Sequence, residues 1–310
     1  MLKNNHKIKE GDGALHMWRK LFKRSYFEGF IFVLPAFIIY FFVVLKPLVF
    51  TAWLSLFQWD GASEKTFVAL ANFSKLFRDS IFFTSLRNNV AWIIASIFIP
   101  MLIGLLLAVL LSGIRSAKLR VFCQTTYFMP VIPSLVIVGI IWGWIYNPIF
   151  GAINKFLELV GLSFLKRGWL GDPKWALPSV ILAGNWTYFG FCMTIFLAGL
   201  QNISRDLYEA AIIDGASRFQ CFRHITVPGL KNQINLLIVY SLIGSFKVFD
   251  IVYIMTKGGP SHATEVIGTY MYTRAFEQSM VGYGSSMAVV LTIIVLSGSM
   301  LFLKLRERSD

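Results

Sequence analysis

Residues 88–114 read NNVAWIIASIFIPMLIGLLLAVLLSGI, twenty-seven positions without one Asp, Glu, Lys or Arg. A single such charge at the centre of a membrane-crossing helix costs about 2.5 to 3.5 kcal/mol, and about 20 apolar residues cover the hydrocarbon layer. The stretch predicts a transmembrane helix. Four more windows are equally free of charge, at 29–45, 121–154, 175–204 and 278–303, and a sixth, 232–256, is interrupted only by Lys247 and Asp250. Working outward from 88–114, the expected fold is therefore an all-α integral membrane protein with six transmembrane helices in one unit, 26–305. A basic segment, 1–25, precedes it and a short tail, 306–310, follows. The first apolar run follows basic residues as a signal peptide does, but it is too long and lacks a small-residue cleavage site, so it reads as a retained anchor.

Composition agrees. Of 310 residues 56% are hydrophobic and only 15% charged, where soluble domains carry about 25% charged residues. An ordinary soluble enzyme and a disordered chain are both excluded. The net charge of +13 does not predict a nucleic-acid partner, because that needs a solvated basic face and here the basic residues sit in short gaps between apolar runs. They fit a lipid bilayer surface instead. Three cysteines are too few for a disulfide framework. The four histidines, at 6, 16, 224 and 262, are scattered over tails and loops, so neither a catalytic constellation nor a metal site is expected.

Orientation follows from the basic residues of short loops, which stay on the cytoplasmic side. The N-terminal segment carries seven, the gap after span two Arg115, Lys118 and Arg120, the gap after span four Arg205, Arg218, Arg223 and Lys231, and the tail Lys304, Arg306 and Arg308. The opposite gaps hold fewer. Both termini are expected in the cytoplasm. The outer gaps contain turn dipeptides rather than a folded domain, and residues 152–160 could form a surface helix with Ile153, Phe156, Leu157 and Val160 on one side.

One cytoplasmic gap is more than a turn. Residues 206–228 read DLYEAAIIDGASRFQCFRHITVP. Ser204 is placed as an N-cap, helix formers run from Leu207 to Ile213, Gly215 supplies a left-handed position, and a second short helix runs up to Pro228. The product is a helix-turn-helix spanning 204–230 with an apolar face of Leu207, Ala210, Ala211, Ile213, Phe219 and Phe222. Such a face either lies in the lipid interface or docks into a partner's groove.

The spacing Glu209-Ala210-Ala211, Asp214-Gly215, then Ile225 and Val227-Pro228 resembles the signature loop of ABC importer permeases, in the form found in the carbohydrate branch of maltose and glycerol-phosphate type. Pro130-x-x-Pro133-Ser134, Phe249-Asp250, Tyr253 and Gly258-Gly259-Pro260 extend the likeness to about residues 27 to 305; Val227 stands where the family usually has Leu. The resemblance implies a transport subunit of a prokaryotic cytoplasmic membrane, working by alternating access. It also implies a second homologous permease, ABC ATPase subunits holding ATP and magnesium, an extracytoplasmic solute-binding protein and a carbohydrate substrate. Glu209, Ala210, Ala211, Asp214, Gly215 and Pro228 would then couple this chain to the ATPase. The sequence holds no G-x-x-x-x-G-K-[ST] phosphate loop, so no cofactor is expected in this chain.

Polar and aromatic residues at mid-bilayer depth are the clue to a pathway. Asn185 lies roughly 15 Å inside span four at 1.5 Å per residue. Tyr188 shares its face, and Trp186 and Thr187 flank it. Pro130 and Pro133 break span three beside Ser134, and Ser245 is the span-five candidate. Amide, hydroxyl and ring groups together suit a sugar, while the same residue types also glue helices to one another. Lys247 and Asp250, three apart, are expected on one helix face, either as a neutralised structural pair or as a proton relay. The relay would make the chain an ion- or proton-coupled secondary transporter, which is the alternative reading.

Overall fold

A computed structural model of the chain describes residues 29–307. The basic N-terminal segment and the last three residues of the tail lie outside the described residues. The chain divides into two units at Leu54 and Ser55.

The first unit is a helix, α1, Gly29–Leu54. It runs nine residues past the charge-free window. Lys46 does not end it, because its ammonium lies 5.6 Å from the Phe42 ring centre and its alkyl stem stays apolar. Pro47 is accommodated by a π turn over Phe41–Leu45. A proline ring clashes with the carbonyl four residues earlier, and a widened turn relieves that clash.

The second unit begins with a two-residue antiparallel ladder, β1 Phe57–Gln58 against β2 Thr66–Phe67. It continues through α2, Ala71–Leu76, and α3, Ser80–Ser112. Then come α4 Ala117–Phe128, α5 Leu135–Ile145, α6 Ala152–Leu159, α7 Pro173–Trp186 and α8 Phe189–Leu200. The 206–228 sequence forms α9, Arg205–Ile213, and α10, which starts at Arg218–Cys221 and passes through a π turn, Phe222–Thr226, to Gly229. After it come α11 Lys231–Phe246, α12 Asp250–Met255, α13 Ile267–Tyr272 and α14 Val281–Glu307.

Among the described residues three helices, α1, α3 and α14, are each long and apolar enough to cross a membrane. Two further pairs qualify only as bent spans. The α4 and α5 segments meet at 93° and the α7 and α8 segments at 45°. The first break is the proline pair, where Met129–Val131 forms a 3-10 turn and Ser134 restarts the helix. The 232–256 window is also divided, since the chain leaves the helix at 247–249 between α11 and α12.

The axis of the second unit is α3, which touches all three buried clusters. Phe82 packs with Leu76, Ile267, Tyr270, Tyr283 and Met287; Trp92 packs with Val138, Val180, Ile251 and Val266; Met101 packs with Cys192, Met193, Phe196 and Leu237. Close approach is carried by glycines. A Cβ on Gly104 of α3 would stand 2.7 Å from Cys192 Cβ of α8, and one on Gly190 would stand 2.2 Å from the Tyr127 carbonyl oxygen of α4.

Two polar clusters fix segments outside the long helices. Asp79 caps α3, accepting from the amides of Ile81 and Phe82, and its other oxygen accepts from the hydroxyls of Tyr270 at 2.5 Å and Tyr283 at 2.6 Å. Burial pushes the Asp79 carboxyl up, and these four donors outweigh it and hold the group below its usual range. Residues 152–160 form the expected surface helix, but with a different inward face. Asn154 is the buried side chain, donating to the carbonyls of Pro148 and Arg167 and accepting from Trp169 Nε1, while Phe156 and Val160 remain exposed. Ile153 and Leu157 of the apolar stripe are half-buried, Ile153 against the Trp92 cluster.

Candidate functional site

The 204–230 region folds as two short helices at an angle set by local chemistry. Ser204 adopts an extended backbone and its hydroxyl accepts from the Asp206 amide. At the other end of α9, Gly215 has φ +82°, its amide donates to the Ile212 carbonyl at 3.0 Å, and the Ala216 amide donates to Ala211 at 2.8 Å. That pair of bonds is the Schellman termination, which needs a left-handed residue at the glycine position. The second helix starts with a capping box that the sequence reading missed. Ser217 and Gln220 each bond the other's amide, and the S-x-x-Q spacing would have found it.

Pro228 does not end the second helix as expected. The π turn over 222–226 precedes it and lets the helical path continue to Gly229. The two helices are tied by the Tyr208 hydroxyl and Thr226 Oγ1 at 2.9 Å. On the outside lie Leu207, Ile212, Ile213 and Phe219, exposed by 54, 66, 85 and 69%. Glu209, Ala210, Asp214 and Gly215 are exposed as well. Among the described residues the Glu209 carboxylate has no hydrogen bond or ion pair. An exposed apolar face beside an acidic group of this kind marks an interaction surface.

The second candidate is a cavity of about 270 Å³ between the Trp92 and Met101 clusters. Asn185, Thr187 and Tyr188 reach it from the α7–α8 bend, and Ser245, Lys247 and Asp250 from the break between α11 and α12. Both openings in the helix ladder therefore face the same space, the one setting in which irregular backbone is tolerated at membrane depth. Among the described residues four buried side-chain polar atoms have no hydrogen-bond partner, and two of them, Asn185 Nδ2 and Ser245 Oγ, belong to residues that line the cavity.

Ser134 and Trp186 are not brought into the cavity. The Ser134 hydroxyl accepts from the Ile137 amide as the cap of α5, and the Trp186 ring packs edge-on against Trp142 at 6.0 Å. Lys247 and Asp250 form no ion pair, which corrects the expected pairing on a single helix face. The helix that would have aligned them is interrupted between them, with Phe249 at φ −146° and ψ −61°. Among the lining residues that were missed are Trp92 and Ser96 of α3, and Tyr240 and Ser241 of α11. Tyr240 stacks on Tyr188 with centroids 5.5 Å apart and planes 10° from parallel, and Ser241 Oγ donates to the Ser96 carbonyl.

The break between α11 and α12 is held by side chains that do not line the cavity. Asn89 Nδ2 donates to the Ser245 carbonyl, Asn89 Oδ1 accepts from the Ile267 amide, and Asn88 Nδ2 donates to the carbonyls of Ala263 and Glu265. Asn89 thus caps a carbonyl that a continuous helix would have bonded internally, while Asn88 holds the 263–265 loop beside it.

The family described as "Binding-protein-dependent transport system inner membrane component" matches residues 100–308. A probable ABC transporter permease protein of Bacillus subtilis, YurN, is 40% identical over 89% of this chain and 94% of its own length. The lactose transport system permease protein LacF of Rhizobium radiobacter is 33% identical over 94% of this chain and 98% of its own. Among solved structures, a bacterial ABC transporter involved in import of the acidic polysaccharide alginate superposes with a TM-score of 0.80, at 24% identity, over 94% of this chain and 99% of that one. This last likeness is one of fold.

Proposed function

The chain belongs to the family of binding-protein-dependent transport system inner membrane components, and from that premise we propose that it is the permease subunit of an ATP-driven importer for a sugar or oligosaccharide. Six spans cross the cytoplasmic membrane in this reading, three continuous, two bent and one broken at 247–249. The partners are a second permease, ABC ATPase subunits that bind ATP and magnesium, and an extracytoplasmic solute-binding protein. The 204–230 knob is received by the ATPase, with Glu209 facing basic groups there.

The observation that carries the sugar reading is the cavity. Its lining includes Asn185 and Ser245, whose side chains hold a buried amide N–H and a buried hydroxyl without a hydrogen-bond partner, beside the stacked rings of Tyr188 and Tyr240. Sugar hydroxyls need donors and acceptors, and sugar C–H faces pack on rings. Lactose transport by a relative 33% identical over nearly the whole chain supports the same class. The ion-coupled alternative is not favoured, because the family is binding-protein-dependent and the unpaired Lys247 and Asp250 have no further mid-membrane carboxylate to relay to.

The test is ATPase stimulation in the purified complex by its binding protein loaded with candidate sugars. Losing one sugar hydrogen bond costs about 0.5 to 1.5 kcal/mol, so Asn185→Ala and Ser245→Ala should each need roughly threefold to tenfold more loaded binding protein or sugar for half-stimulation. Basal hydrolysis and assembly should stay intact. Unaltered stimulation in both variants would remove the cavity from the pathway.

Orientation has its own test. Ser63, Ser217 and Ser261 are all exposed. Single cysteines at 63 and 261 in a cysteine-free chain should react with an impermeant thiol reagent added outside intact cells, and one at 217 should not. Labelling at 217 under those conditions would reverse the topology.

A further inference from the structure

The base of the cytoplasmic knob contains a second polar cavity, of about 340 Å³, that the transport reading leaves unused. It lies where the end of α3, the start of α4, the end of α8 and the start of α9 meet. Arg120 and Gln124 line it from α4, Gln201 follows α8, and Arg205 opens α9, over an apolar floor of Leu200 and Ile203. No carboxylate is among its lining residues. Among the described residues neither guanidinium has a hydrogen-bond or ion-pair partner.

Two unpaired guanidinium groups and two side-chain amides converging without an acid make a receptor for an oxyanion. Guanidinium forks match phosphate oxygens in a bidentate way, and amide N–H groups add further donors. The apolar floor argues against a fully hydrated ion and for an amphiphile. The neighbouring surface of α4 continues that character, with Leu119, Val121 and Phe122 exposed by 50, 57 and 68%. The height of the site comes from the basic loops 115–120 and 205–231, which the orientation proposed above sets at the inner leaflet; the inference rests on that orientation.

We infer that this cavity binds the phosphate headgroup of an anionic phospholipid of the inner leaflet. Basic pockets between spans on the cytoplasmic side are where such headgroups are held. Occupancy has a mechanical consequence, because Arg205 is the first residue of α9 and Tyr208, which also lines the cavity, is the residue bonded to Thr226 across the knob. The headgroup would brace α9 against α4 at the point where the knob joins the membrane domain.

The experiment uses the assembled permease and ATPase complex in nanodiscs of mixed phosphatidylcholine and phosphatidylglycerol, with retained lipid counted by native mass spectrometry. A parallel arm uses phosphatidylcholine alone with added inorganic phosphate and follows the thermal unfolding midpoint. The parent complex should retain phosphatidylglycerol, and the R120Q/R205Q variant should retain it about thirtyfold less, at roughly fivefold per arginine. Inorganic phosphate should leave the parent midpoint in neutral lipid unchanged. Equal retention by both proteins, or none by the parent, overturns the site. A midpoint raised by inorganic phosphate in the parent but not in the variant overturns the lipid assignment in favour of a free anion. Since retained lipid is read without sugar or ATP, this outcome is separable from failure of the transport reading and from the labelling test of orientation.

Discussion

Glu209→Lys and Gly215→Pro are each expected to abolish ATP-driven uptake in proteoliposomes, to the level of a complex without nucleotide. In the coupling role proposed for the knob, Glu209 meets basic groups of the ATPase, and a lysine there converts attraction into repulsion across a docked interface. Gly215→Pro acts on shape. Proline locks φ near −65° where the turn has +82°, and it deletes the amide that bonds Ile212. The angle between α9 and α10 is lost with it. Gly215→Ala is the graded comparison, since a Cβ there meets nothing within 4 Å and only the left-handed backbone costs, by about 1 to 2 kcal/mol. Co-purification of the ATPase subunits with each variant reads docking separately from transport. Normal uptake by Glu209→Lys or by Gly215→Pro would end the coupling assignment.

The next largest effect is expected from Gly190→Val. This glycine lies in the first turn of α8, at the α7–α8 bend, and faces the end of α4, next to the α4–α5 bend. Its added Cβ would lie 2.2 Å from the Tyr127 carbonyl oxygen and 3.0 Å from Phe128 Cα, both backbone atoms that no rotamer change can move. Separating the two bends also opens the Met101 cluster behind them. Overpacking of this kind costs about 3 kcal/mol or more. The thermal midpoint in detergent should fall by several degrees and folded yield should drop, whereas Gly143→Ala, whose Cβ meets nothing within 4 Å, should leave both where they are. A Gly190→Val midpoint matching that of Gly143→Ala would show that the two bends are not in the contact described.

The class of the molecule and the left-handed turn at Gly215 were legible in the residues alone because both rest on local physics. The cost of charge in hydrocarbon marks spans one window at a time, and it located the regions of α3 and α14 and both bent pairs. The left-handed demand at a helix end picks out Gly215 from its immediate neighbours, and the capping box at Ser217 was there to be read by the same logic. Lys46 misled only the end of α1, because a long side chain can carry its charge away from the position its Cα occupies.

The cavity depended on contacts between residues far apart in sequence. Spacing of three aligns Lys247 with Asp250 only if the helix is continuous. Whether it is continuous was decided by Asn89, more than 150 positions earlier, which supplies a bond to the Ser245 carbonyl from another helix. Ser134 had the right depth and chemistry for the cavity, yet its hydroxyl is spent on restarting α5 after the 93° bend. Trp92, Ser96, Tyr240 and Ser241 carried no signal that separates them from packing residues, because in a chain this apolar every span offers such side chains. Local sequence states what a segment can tolerate, whereas only packed neighbours determine which polar groups find partners and which, like Asn185 Nδ2 and Ser245 Oγ, are left without one.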